Sequence, residues 1–131
     1  ARGTSEGGER VADICRNFPF WFCENYKKYC NNEENMPFDQ HYLLAAIAPR
    51  KVCVASAQQD QWADPQSEFL SCVAASHAWK LLGKTGFVSE NRMPEPGDCF
   101  YAGDVAYHLR SGTHFLSRHD WVKFCDFLKN S

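Results

Sequence analysis

No two cysteines in this chain have C-x-x-C spacing and no segment has zinc-finger spacing, although seven cysteines are present. A metal site is therefore not expected. Basic residues do not cluster: 14 Lys and Arg stand against 16 Asp and Glu, for a formal net charge of -2. That balance argues against nucleic acid as a partner. No apolar run approaches the roughly 20 residues of a membrane span, and no signal-peptide pattern opens the chain, so a soluble protein with no membrane partner is expected. Repeats are lacking too, as is any linker that would divide the 131 residues into two domains. The first residue is Ala1 rather than Met, as expected of a processed product or of a piece of a longer polypeptide.

What is present describes a globular unit. Hydrophobic residues make up 44%, aromatics 15% and charged residues 23% of the chain, enough to build one domain or part of one. Cys53 lies in an apolar strand pattern, and Cys72 and Cys125 lie among the apolar residues of expected helices, so buried thiols are the reading. The odd number leaves at least one thiol without an intrachain partner.

Along the chain, "ARGTSEGGER" reads as a loop entering a helix over residues 11–17. The aromatic segment "NFPFWFCENYKKY" is explained by packing. In "FDQHYLLAAIAPR", Asp39 is placed to cap a helix with Leu43, Leu44 and Ile47 on one face, ended by Pro49. "KVCVASA" is a short, β-branched apolar run, as expected of a strand buried on both faces of a parallel sheet. A helix over residues 66–82 follows and stops at Gly83. "GFVSENRMPEPGDCF" reads as a loop and "VAYHLR" as a second strand. Ser117 and Asp120 form a capping-box-like start for a last helix, "SRHDWVKFCDFLKN". Helix, strand, loop and helix in this order indicate an α/β architecture, a mostly parallel sheet with helices on both faces.

In such sheets, sites form beyond the carboxyl ends of the strands. That rule selects the loop "SAQQDQWADP", with Asp60, Trp62 and Asp64, and the loop holding His114. An acid after one strand and a histidine after the next follows the order of α/β-hydrolases. In a triad the carboxylate would take the imidazole Nδ1–H while Nε2 accepts a serine proton. Asp60 is the better acid, because Asp64 precedes Pro65 and can cap the next helix. His41 reads as a core residue, His77 and His119 as helical and His108 as within a strand, so none joins the site.

The nucleophile is missing. No G-x-S-x-G elbow occurs, Ser5 has no strand before it, and Ser56 lies in the acid's own loop. In this fold the nucleophile precedes the acid and the histidine, so it is expected before Ala1. Residues 1–131 then form the C-terminal half of a single α/β-hydrolase domain, inactive alone.

The segments "NFPFWF", "PFDQHYLLAAIAPRKVCVASAQQDQWADPQSEFL", "LLGKTG" and "GDVAYHLRSGTHFLSRHDW" resemble carbohydrate esterase family 15, the glucuronoyl esterases, in their bacterial form. The resemblance implies an α/β-hydrolase that cleaves the ester between 4-O-methyl-glucuronic acid on xylan and lignin alcohols. It further implies His114 as catalytic histidine, Asp60 as acid and Trp62 as a contact to the uronate sugar. No cofactor is implied. The expected partners are the glucuronoxylan or lignin-carbohydrate ester and the N-terminal portion of the same enzyme, and the expected location is secreted or periplasmic. The family's serine and the arginine beside it have no counterpart here. Some members also use a glutamate after an earlier strand as acid, and the often acidic position after the histidine is Phe115 here. Two other readings of the same residues are an acetylxylan or other carboxylesterase and a catalytically inactive carbohydrate-binding module.

Overall fold

The computed structural model describes residues 7–129. Residues 1–6 of the expected opening loop, Ser5 among them, and the end of the last helix at residue 130 lie outside the described residues. Helix α1 spans Val11–Asn17, α2 His41–Ala45, α3 Pro65–Leu81 and α4 Arg118–Lys129; strands are β1 Val52–Ala57, β2 Cys99–Phe100 and β3 Val105–Arg110. Two 3-10 turns, Tyr26–Tyr29 and Glu33–Asn35, connect α1 to α2.

The sheet order is β1-β3-β2. β1 and β3 run parallel, with Val52 opposite Val105 and Ala57 opposite Arg110. β2 is antiparallel to β3, so the sheet is mixed. β2 falls within the segment expected to be a loop, because two residues carry no period and their pairing is decided by β3. β3 is buried along its whole length, and alternate side chains separate to opposite faces as the strand pleat requires. Val105, Tyr107 and Leu109 join the core beneath α3, with Phe69, Cys72 and Trp79. His108 and Arg110 turn to α4, where they meet Asp120.

Two expectations of burial need correction. β1 is only half-buried from Val52 to Ala55, because among the described residues it pairs on one side only. In the aromatic segment, Tyr26 is buried but Phe20 is 97% exposed and Trp21 66%. The chain turns there rather than forming a helix, and Trp21 stacks on Phe18 instead of on the core.

Local chemistry sets the remaining boundaries. Asp64 caps α3, with Oδ1 accepting from the Ser67 amide at 3.1 Å, and Pro65 occupies the first turn. Gly83, at φ +71°, ends that helix. α2 is shorter than its pattern suggested: Asp39 accepts from Gln40 N at 2.8 Å, Leu43 is exposed and Ile47 lies past the helix end. Of the cysteines in the apolar patterns, Cys72 is buried and Cys53 half-buried, but Cys125 is exposed, because it lies on the outer side of α4. Burial pushes the Cys53 and Cys72 thiols up to about 12. His41, read as a core residue, is only half-buried and lies against Tyr42.

Candidate active site

The loops that leave β1 and β3 are stitched together past the strand ends. Gln58 N donates to Arg110 O at 2.8 Å and Gln59 N to Gly112 O at 3.0 Å. These two backbone bonds continue the parallel pairing and carry the acid loop alongside the histidine loop. Asp60 and His114 then meet, with Nδ1 2.6 Å from Oδ2. A carboxylate only accepts, so Nδ1 carries a proton, and in the neutral ring the lone pair is then on Nε2. The Asp60 side chain is 13% exposed and that of His114 86%. The acid is thus sheltered beneath a ring whose free nitrogen is open to a reactant.

The pair borders a cavity of about 260 Å³, with Ser56, Glu68, Arg110 and Asp120 in its walls. Glu68, in the first turn of α3, accepts from Ser56 Oγ at 2.5 Å. Burial pushes its carboxyl up to about 7, with the Ser56 bond and His114 opposing and the charges of Asp60 and Asp64 adding. Sequence reasoning did not single out Glu68. Its helix cap at Asp64 was the available signal, since a capped helix after the strand aims its first turn at the strand ends.

Trp62 is 60% exposed and lines an adjoining cavity of about 370 Å³ rather than the first one. The two cavities share Ala63 and Glu68. Trp62 O accepts from Glu9 N at 2.9 Å, which ties this loop to the segment before α1.

His77 and His119 are exposed, and neither lines the cavity that the pair borders. His108 is buried, with Nε2 3.0 Å from Asp120 Oδ1 and Nδ1 3.1 Å from the Tyr101 hydroxyl. Burial lowers its pKa, against the bond to Asp120, so it is neutral near pH 7. Asp120 must accept, so Nε2–H donates to it and Nδ1 accepts from Tyr101.

The family model described as glucuronyl esterase, fungi, matches residues 3–83. This chain belongs to the glucuronyl esterase family. A carbohydrate esterase from an unknown prokaryotic organism is 40% identical over 120 residues, 92% of this chain and 27% of that protein. A 4-O-methyl-glucuronoyl methylesterase of Hypocrea jecorina is 35% identical over 90 residues, 68% of this chain and 19% of its own length. Among solved structures, a promiscuous CE15 esterase from a marine bacterial metagenome superposes with a TM-score of 0.89 at 38% identity, over 93% of this chain and 30% of that one. The glucuronoyl esterase from Solibacter usitatus superposes with a TM-score of 0.84 at 44% identity, over 94% and 31%. The chain therefore spans under a third of each of these relatives, and its fold is part of an α/β-hydrolase fold.

Proposed function

We propose that this chain supplies the acid and the histidine of a serine-type hydrolase of glucuronoyl esters, the 4-O-methyl-glucuronate of xylan joined to lignin alcohols. The observation that carries the reading is the 2.6 Å contact between His114 Nδ1 and Asp60 Oδ2 beyond the ends of two neighbouring parallel strands. Asp60 holds the imidazole in the tautomer with Nε2 free. Nε2 takes the proton from a serine hydroxyl as that oxygen attacks the ester carbonyl, and returns it to the departing alcohol; water then repeats the cycle on the acyl-enzyme. Asp60 stabilises the imidazolium formed midway.

In this reading the serine belongs to polypeptide outside these residues, and residues 1–131 are the C-terminal portion, less than half, of one domain. The half-buried β1 and the exposed His114 ring support it. Trp62 walls the sugar side, an aromatic face beside the proton-handling pair. Secretion to meet a plant-wall substrate is part of the same reading.

The test joins the chain to a nucleophile-bearing segment and assays benzyl glucuronate. His114→Gln and Asp60→Asn should each lower kcat by about 10²–10⁴-fold. Full activity in either variant would overturn the assignment. A broader carboxylesterase specificity is the second reading, favoured by the solved neighbour described as promiscuous; comparable turnover of acetyl and glucuronoyl esters would select it.

A further inference from the structure

Among the described residues little packs against the His114 ring, so within them its position rests on its bond to Asp60 and on its backbone. One side chain holds that backbone on both sides. Arg110, the last residue of β3, is 8% exposed. Its Nη2 donates to Thr113 O at 3.1 Å and also to Phe115 O, the carbonyls flanking His114, and its Nη1 donates to Ser111 O at 3.1 Å. The guanidinium also lies over the Phe115 ring, 4.3 Å from its centroid.

Arg110 is itself fixed from below. Its Nε reaches both Asp120 oxygens, at 3.0 and 3.2 Å, and Asp120 is 2% exposed. Asp120 also accepts from Ser117 N at 2.8 Å and Ser117 Oγ at 2.7 Å, and from His108 Nε2. A carboxylate so fully bonded anchors its partner rigidly. Arg110 borders the cavity of the Asp60–His114 pair, where an arginine suggests an anion site. Its Nε and both Nη2 hydrogens are committed to the protein, however, so it is not free to clasp a uronate carboxylate.

We propose that Arg110, seated on Asp120, is the positioning residue of His114: it clamps the carbonyls on either side of the histidine and aims the ring at Asp60. This rests on the reading of His114 as the base. Lysine retains the charge but has no planar fork to span three carbonyls and a carboxylate at once, and a small misplacement of a base costs a large factor in rate.

The experiment uses the protein that carries the nucleophile-bearing segment together with these residues. Three readouts are followed in Arg110→Lys: the downfield ring-proton resonance of His114 Nδ1–H, amide exchange over residues 111–116 against 105–109, and kcat and KM on benzyl glucuronate. Loop exchange should rise at least ~10-fold while β3 stays within about twofold, and the ring-proton signal should vanish. kcat should fall by about 10²-fold with KM nearly unchanged. Phe115→Leu removes only the exposed ring under the guanidinium, so it retains the fold if Arg110→Lys does not. It should move the same three readouts in the same direction by a few-fold. A retained ring-proton signal with unchanged loop exchange overturns the clamp, and so does exchange that rises equally along β3. His114→Gln separates the two ideas: an active His114→Gln protein sinks the base assignment, while a loosened Arg110→Lys loop still supports the clamp.

Discussion

Glu68 is a single side chain whose charge state should be visible in the stability of the molecule. Its carboxyl loses a proton near 7 in the folded protein and near 4.5 when unfolded. Between those values the native state holds more protons, so stability is greatest below about pH 4.5 on this account and declines as pH rises to 7. Solvent screening at this half-buried site leaves a decline on the order of 2 kcal/mol. Asp120 acts in the opposite sense at lower pH. Burial opposes its ionisation, but bonds from His108, Ser117 and Arg110 hold it below the usual carboxylate range, so stability also falls as pH drops below about 4. His108, whose pKa burial lowers, acts against Glu68 in the same window, because stability falls as pH drops below its unfolded value near 6.5. In urea titrations across pH 4–8, Glu68→Gln should therefore flatten the alkaline limb, the decline toward pH 7, and leave the loss on the acid side. An unchanged slope in that variant would assign the limb to other groups. Trp62 offers a second residue-level test. Trp62→Ala should reduce kcat/KM on benzyl glucuronate about 10-fold or more and spare a small acetyl ester; equal losses on both would mean a damaged loop.

At the scale of elements, Gly103 allows its loop to touch the backbone of Gly86 in the loop after α3. A Cβ on Gly103 would lie 1.7 Å from Gly86 O, and beside it Asp104 N donates to Thr85 O at 2.8 Å. Gly103→Ala should accordingly cost about 2–4 kcal/mol in chemical denaturation and pull β3 from its register with the loop after α3. A cost under about 0.5 kcal/mol would mean that the loops part freely. Strands β1 and β3 and helices α1, α3 and α4 were legible because each combines an apolar pattern with a local stop: Asp64 and Gly83 around α3, Ser117 before α4. The loops holding Asp60 and His114 were legible for the same reason, since strand ends locate them. β2, the exposure of Trp21 and the work of Arg110 were not, because each depends on a partner distant in sequence and leaves no periodic trace. Asp120 was read as a cap partner of Ser117, which it is; its bonds to His108 and Arg110 come from the face of the sheet that α4 covers, which a pattern along α4 cannot reveal.

For the whole molecule, the free side of β1 and the exposed Phe20, Trp21, Leu43 and Leu81 leave apolar surface that water disfavours. Residues 1–131 prepared alone should associate at micromolar concentration, and the nucleophile-bearing segment should restore a monomer by sedimentation. A soluble monomer with one sharp melting transition would refute the partial-domain reading. Among the described residues, the buried apolar clusters are two with no member in common: Val11, Tyr26 and Met36 in one, and the core beneath α3 in the other. Cooperativity passes through shared packing, so the first group can open as a sub-global unit while the sheet stays closed. The bond from Glu9 N to Trp62 O crosses that divide. Each such opening would release the Trp62 loop from its tether, so the lifetime of the cluster of Val11, Tyr26 and Met36 would set how long the aromatic beside Asp60 stays in place.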